Sequence, residues 1–289
     1  MATRSVFVCK DCYPFFEEIS VDFDWFPGFA LSQKRKSQIS LHRNFLNAYP
    51  FEKVLEISSA SLYALGASLS AMHLYKRTSK GITSVESAFQ SSRIYGKGEN
   101  EIGPFLEYLF LPGRECKKIV KDRSQGMISY RYYFDGMEFY APPHFISLFY
   151  NYLYLNALCE EENRTVASSL LDQHHTAFTD LATLSLNCQA RSAAIFVSLV
   201  RNGLINEVQQ YDTYLKLFRT NKDGTPIGDT SYENVQLING KGEVHLLSPV
   251  VPHTFSKNDT ERYYEKYCSR LSNKKDENNY LDVNQMSVI

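Results

Sequence analysis

The spacing of apolar and polar positions divides the chain into a series of short elements. Val21-Asp22-Phe23-Asp24-Trp25 alternates with period two, as a half-buried strand does, and Pro27-Gly28 then turns the chain. Ser32 is placed to cap a helix that runs from Gln33 to Leu46, with Ile39, Leu41, Phe45 and Leu46 on its apolar side. Leu55-Glu56-Ile57-Ser58-Ser59 predicts a short strand, and the apolar stretch from Leu62 to Leu74 is interrupted by Gly66. Residues 81–96 predict a short helix capped by Thr83 or Ser84 and stopped by Gly96. A basic helix follows over Arg114 to Asp122, after a loop rich in Gly and Pro. Between alternating aromatics, Asp135-Gly136 predicts a tight hairpin over Ser129 to Tyr140.

Further along, the pattern becomes helical. His144 to Ala157 is a core helix whose tyrosine hydroxyls need partners, and 165–178 is another helix. Asn187 to Leu204 is a packed helix with small residues on one side, ended by Asn202-Gly203. Tyr211 to Arg219 gives a short helix and 221–229 a loop. A hairpin is expected from Val235-Gln236-Leu237-Ile238 and Glu243 to Leu247, then a helix over Thr260 to Leu271 and a polar, mobile tail over 272–289. The fold class that follows is α+β, mainly helical.

Composition narrows the function. A chain of 289 residues with 44% hydrophobic residues can bury a sizeable core, and its net charge of −1 provides no global field for nucleic acid, so any DNA contact must come from a local patch. The N-terminus lacks the apolar core of a secretory signal, and nowhere do about 18 apolar residues run together, so a cytoplasmic protein without membrane association is expected. Of six cysteines only Cys9 and Cys12 lie close together, and no second pair or histidine pair completes a zinc set; free thiols and no metal or other cofactor are expected.

The helix at 81–96 also holds candidate chemistry. Glu86, Gln90 and Arg93 fall at i, i+4 and i+7, so a carboxylate, an amide and a guanidinium share one face. Thr83-x-x-Glu86 equally fits a capping box, in which Glu86 would only reach back to the backbone. Lys34, Arg35 and Lys36 place positive charge in a first helical turn, against the helix dipole, which a bound phosphate would relieve; an ordinary basic surface turn is the alternative. Lys117, Lys118, Lys121 and Arg123 form a second basic set, suited to phosphates or to a solvated helix face.

The run Ser84-Val85-Glu86-Ser87-Ala88-Phe89-Gln90-Ser91-Ser92-Arg93 resembles the T/S-V-E-x-A-F-Q-x-x-K signature of the NADAR superfamily, N-glycosidases of ribosides and ADP-ribosylated groups. Phe23 to Ser37, with its W-x-P-G-F and S-Q-K-x-K-S elements, resembles the opening block of the NADAR antitoxins paired with DarT-type DNA ADP-ribosyltransferases. Phe178-Thr179-Asp180 and Asn187-Cys188-Gln189-Ala190-Arg191-Ser192-Ala193-Ala194 extend the likeness, which spans about residues 20–205. The resemblance implies a single NADAR-like catalytic domain over 1–205, an extension packed on it over 206–271, and the tail.

It also implies an activity: removal of ADP-ribose from guanine bases in DNA, with ADP-ribosylated DNA as substrate, ADP-ribose as product and a DarT-type toxin as functional partner. Glu86, Lys34 and Asp180 are the catalytic candidates. A carboxylate beside the ribose would stabilise the positive charge that develops there, and Lys34 would clamp the diphosphate or form an imine with the opened sugar. Trp25, Gln33, Lys36, Ser70, Phe89, Gln90, Arg93, Asn187, Gln189 and Arg191 are the candidate ligand contacts, in a cleft lined by the segments around Trp25, Lys34, Glu86 and Asp180. Two departures stand out. Arg93 replaces the signature lysine and cannot form an imine, and Leu69-Ser70-Ala71-Met72-His73-Leu74 lacks the asparagine of an L-S-N-F element. Both favour a second reading, a non-catalytic binder of ADP-ribose or ADP-ribosylated DNA, and the neutral net charge favours a third, a small-riboside N-glycosidase.

Overall fold

The computed structural model describes residues 1–96, 98–125, 127, 129–140, 147–182, 188–218, 236–238 and 244–246. Its frame is a four-stranded sheet. Strand β1 (Ala2–Cys9) pairs antiparallel with β2 (Phe16–Phe23) on one side and with a late strand, Ala177–Thr179, on the other; β3 (Val54–Glu56) runs parallel to that late strand. Val6, Phe7, Val8 and Cys9 are all buried because both faces of β1 are covered. Val6 and Val8 pack with Val21, Phe23, Leu41 and Phe45 under helix α1 (Leu31–Ala48), whereas Phe7 and Cys9 join the larger core on the opposite face.

That larger core is built around helix α5. Following α1 and β3 come α2 (Ala64–Ser68), the hairpin β4 (Tyr75–Thr78) and β5 (Gly81–Ser84), helix α3 (Val85–Ser91), β6 (Arg93–Tyr95) and α4 (Gly113–Ser124). Then β7 (Ser129–Phe134) and β8 (Met137–Tyr140) complete a three-stranded sheet with β6 before α5 (Leu148–Leu158). The α5 sequence Leu-Phe-Tyr-Asn-Tyr-Leu-Tyr-Leu-Asn-Ala-Leu is apolar all round, as a fully enclosed helix requires. Two of its polar side chains bond to neighbours: Tyr154 Oη donates to Leu69 O at 2.7 Å, and Ser192 Oγ donates to Asn151 Oδ1 at 2.8 Å. The remaining elements are α6 (Arg164–Asp172), β9 (Ala177–Thr179), α7 (Gln189–Arg201) and α8 (Tyr211–Leu217). Tyr214 of α8 donates its hydroxyl to Leu148 O at 2.6 Å, and Phe218 packs tilted against Tyr13 and edge-to-face against Phe15, so the chain as far as 218 belongs to this core.

The predicted class, α+β with more helix than strand, is the observed one. The hairpin at Asp135-Gly136 is present, both turn residues having positive φ, 50° and 88°, as a two-residue turn of this kind needs. Four expectations change. Residues Asp24 and Trp25 lie beyond the strand, which ends at Phe23. Helix α1 starts at Leu31, with Ala30 rather than Ser32 at the cap position and no side-chain cap bond. The helix expected over 81–96 is only α3; Gly81–Ser84 pairs with β4, and Arg93–Tyr95 pairs with β7, so tertiary strand pairing takes both ends from the helix. Ser91 and Ser92 turn their hydroxyls back onto Ala88 O and Phe89 O at that stop. Finally, the helix expected over 165–178 ends at Asp172, and Ala177–Thr179 is a strand enclosed between β1 and β3. Gln236–Ile238 does pair with Val244–Leu246. The expected loop at 221–229, helix at 260–271, tail at 272–289 and the first residues of the helix at 144–157 lie outside the described residues.

Candidate active site

Helix α3 begins where β5 ends. Ser84 caps it, its Oγ accepting from Ser87 N at 3.1 Å, while the Thr83 hydroxyl donates elsewhere, to Leu109 O. Glu86 is therefore released from the capping-box geometry that its spacing allowed, and the residue is buried. Gln90 Nε2 donates to Glu86 Oε1 at 3.0 Å, and Arg93 Nη1 donates to Gln90 Oε1 at 3.3 Å. The i, i+4, i+7 face is thus one connected chain of polar groups. A fourth member arrives from α4: Lys117 Nζ lies 3.2 Å from the same Glu86 Oε1. Among the described residues, Glu86 Oε2 has no hydrogen bond or ion pair, which leaves one oxygen of the carboxylate for water or ligand.

These groups line a cavity of about 400 Å³, within the range of small-molecule sites. Its walls also include Ser58 and Ser59 after β3, Ser70 to Met72, Phe89, Tyr150, Asp180 and Gln189. Arg93 is held flat: its guanidinium sits 4.8 Å from the Tyr95 ring centre and 5.5 Å from that of Phe89. Gln189 is spent on the backbone, accepting from Ala71 N at 2.9 Å and donating to Ile57 O at 2.7 Å, so it ties the turn at Ala71 to the end of β3.

Asp180 enters from the end of β9, and a buried carboxyl group behind it sets its place. Glu56 accepts from Thr179 Oγ1 at 2.6 Å and from Leu181 N at 3.0 Å, gripping the residues on both sides of Asp180. Burial pushes the Glu56 carboxyl up from its ordinary range, against those bonds, which pull it down. His42 Nε2 completes the network at 2.8 Å from Thr179 Oγ1; burial first, and then His175, drives His42 down to about 3, so it is a neutral donor here. The field of the two cavity carboxylates is visible on their neighbours. Tyr150 is raised well above its ordinary value by burial, then by Glu86, with Tyr154 and Asp180 adding to it. Cys188 is pushed up to about 12 by burial and then Asp180, and Cys116 likewise to about 12 by burial and then Glu86, so neither thiol is a nucleophile at neutral pH.

Of the residues singled out in the sequence, the fold brings Glu86, Asp180, Ser70, Phe89, Gln90, Arg93 and Gln189 to one cavity. The expected lining by the Trp25 and Lys34 segments is not found: Trp25, Gln33, Lys34 and Lys36 do not line it. Phe26 N donates to Ser37 Oγ and Asp24 N to Ser40 Oγ, which folds residues 24–26 back along α1, and Trp25 packs edge-on against Phe23 with the Arg4 guanidinium 5.5 Å from its ring. Lys34 is exposed in the first turn of α1. Arg191 lies over the Phe7 and Phe16 rings, 5.1 and 5.4 Å away, beside Glu18. Asn187 lies outside the described residues. Sequence reasoning missed the cavity roles of Ser58, Met72 and Tyr150, and it placed Lys117 only in a surface patch. The one signal available for the supporting network was Glu56 itself, a lone charge between Leu55 and Ile57.

With this arrangement in view, the comparison with protein families gives the chain its class, the NADAR proteins. More narrowly, the chain belongs to the DarT1-associated NADAR antitoxins, whose family description matches residues 2–226. A comparison with individual curated proteins gives no match. Among the described residues no helix is long and apolar enough to cross a membrane.

Proposed function

We propose that this protein hydrolyses the N-glycosidic bond between ADP-ribose and a guanine base in DNA, and so reverses the mark made by a DarT-type toxin. The observation that carries the reading is the buried Glu86 carboxylate, fixed at Oε1 by Gln90 and Lys117 and open at Oε2, in a cavity it shares with Asp180. As the bond from C1′ of the ribose to the base nitrogen breaks, its electron pair leaves with the base and positive charge grows on the sugar ring. A fixed carboxylate in a site partly screened from water stabilises that charge better than bulk solvent does. Glu86 Oε2 then orients the water that adds to C1′ and takes up its proton, while the base recovers a proton and ADP-ribose departs. Asp180 holds ribose hydroxyls from the other wall, and the Lys117 and Arg93 cations offset the diphosphate.

Arg93 also favours a second reading, a binder without turnover, because a guanidinium stacked between Tyr95 and Phe89 grips an anion but supplies no nucleophilic amine. One experiment separates them. The purified protein is incubated with an oligonucleotide carrying ADP-ribosylated guanosine, and free ADP-ribose is followed. Release by the wild type, with a loss of about 10²- to 10⁴-fold in Glu86→Gln and retained binding, supports hydrolysis. Binding without release in the wild type establishes the reader, full activity in Glu86→Gln removes this carboxylate from the mechanism, and turnover confined to free ribosides sinks the DNA substrate.

A further inference from the structure

A second concavity adjoins the cavity and shares a wall with it. This open groove, about 740 Å³, runs along the β4–β5 hairpin and the start of α4. Met72 lines both spaces. Arg114 lines the groove and donates from Nη2 to the hydroxyl of Ser59, a residue of the cavity, at 3.3 Å. Gly113, between them, is so close to Glu86 that a Cβ at this position would stand 3.0 Å from Glu86 Cβ.

The groove's surface has two properties that a solvated face would not need. Tyr75, Ile82 and Phe110 line it while 52%, 43% and 53% exposed, which places two aromatic rings and an aliphatic side chain in water beside one another. No acidic side chain is among the described residues that line it, although the chain carries 32 acidic residues. Its charged member is Arg114, and Arg114, Lys117 and Lys121 follow at i, i+3 and i+7 on α4, a basic row that passes from the groove to the cavity where Lys117 meets Glu86. Exposed aromatic faces next to a cationic row are the two elements by which proteins hold single-stranded nucleic acid, bases stacking while the backbone follows the charge.

We propose that this groove holds the single-stranded DNA neighbour of the modified nucleotide, its base stacked on Tyr75 and Phe110 and its phosphate at Arg114. The proposal rests on the hydrolase reading of the cavity and deepens it: the substrate is a modified base presented in an unpaired strand, and the groove is where the strand continues. An enzyme with no global positive field gains its DNA preference from this local surface.

The test compares three substrates: the ADP-ribosylated guanosine nucleoside, a single-stranded oligonucleotide with the modified guanosine at its centre, and that oligonucleotide annealed to its complement. Wild-type kcat/KM is expected to be at least about tenfold higher on the single strand than on the nucleoside or the duplex. Phe110→Ala and Tyr75→Ala, both at exposed positions, are expected to raise KM on the single strand about tenfold and to leave the nucleoside reaction unchanged. Arg114→Ala is expected to lower the salt dependence of single-strand binding by about one phosphate contact. Variants that match the wild type on every substrate, or a nucleoside as good as the oligonucleotide, overturn the proposal. If no substrate is turned over at all, the hydrolase reading is what fails; binding of the fluorescein-labelled single strand then reads the groove by itself, and equal affinity in Phe110→Ala and wild type overturns it there.

Discussion

Lys117 Nζ lies 3.2 Å from Glu86 Oε1, a contact made between two helices that the sequence separates by a loop and a three-stranded sheet's first strand. The lysine side chain is 56% exposed and the glutamate 8%, so the pair is one buried carboxylate and one half-exposed cation. Such a half-exposed pair adds little to folding stability. Its value lies in fixing which carboxylate oxygen is occupied.

Lys117→Gln should therefore separate activity from stability. We expect kcat for ADP-ribose release to fall about tenfold, equivalent to ~1.4 kcal/mol of transition-state stabilisation, with a change in Tm too small to explain it. Steady-state kinetics and a thermal melt on the same preparation check this. A variant with unchanged kcat assigns Lys117 to the solvated face of α4.

Gly113→Ala should disturb the same carboxylate from the other side. The added Cβ would stand 2.8 Å from Met72 Sδ, 3.0 Å from Glu86 Cβ and 3.2 Å from Glu86 Cγ. Met72 can swing away, but Glu86 Cβ is fixed to α3, so α4 and α3 must part or the carboxylate must turn. Overpacking of this kind costs about 1–3 kcal/mol, and the expected result is a lower Tm together with reduced turnover. Normal kinetics in a stable Gly113→Ala protein would show that α3 and α4 part without disturbing the carboxylate.

The reach of the sequence ended where contacts became non-local. Glu86, Gln90 and Arg93 were legible as one face because a single helix sets their spacing, and Asp135-Gly136 because a two-residue turn is its own local signal. Lys117 was visible as a charge but not as Glu86's neighbour, since nothing within α4 refers to α3. Ala177 and Phe178 fall inside the helix expected over 165–178 because three residues are too few to show a period, and only the burial of Ala177–Thr179 between β1 and β3 makes that segment a strand. The Trp25 and Lys34 block is placed at the cavity only by likeness of sequence; the residues that line this cavity come from other segments, while Asp24 N and Phe26 N bond to Ser40 and Ser37 of α1.

The network behind Asp180 predicts a pH-dependent stability gap. His42 titrates near 6.5 when unfolded, but burial and then His175 hold it down to about 3 in the fold. Below pH 6.5 the unfolded chain takes up a proton that the folded chain refuses, so His42's contribution is full above 6.5 and is lost as pH falls toward 3. Between pH 7.5 and pH 5 the loss amounts to about 2 kcal/mol. Glu56, raised by burial, acts in the opposite sense and stays in both proteins, so the comparison isolates the histidine. His42→Gln, which keeps a donor for Thr179, should be the less stable protein at pH 7.5, with the gap narrowing by about 2 kcal/mol at pH 5. Urea unfolding at the two pH values measures it, and a constant gap would mean that His42 is protonated in the fold.

How the ribose is attacked turns on whether an amine reaches it. Arg93 occupies the signature's lysine position, stacked on Tyr95 and bonded to Gln90, and no other residue between 84 and 93 carries an amine. Lys117 lines the cavity, but its Nζ is engaged with Glu86 Oε1 at 3.2 Å. Lys34 is exposed outside the cavity lining. On the proposed reading, water oriented at Glu86 Oε2 attacks, and no covalent bond to the protein forms. Borohydride added during turnover, followed by intact-mass measurement, should thus find the wild type unmodified while ADP-ribose release proceeds. Arg93→Lys, which removes the stacked guanidinium and the bond to Gln90, should bind substrate more weakly and turn it over more slowly. An adduct trapped on Lys117 or Lys34 of the wild type, or faster release by Arg93→Lys, would replace direct hydrolysis with an imine mechanism.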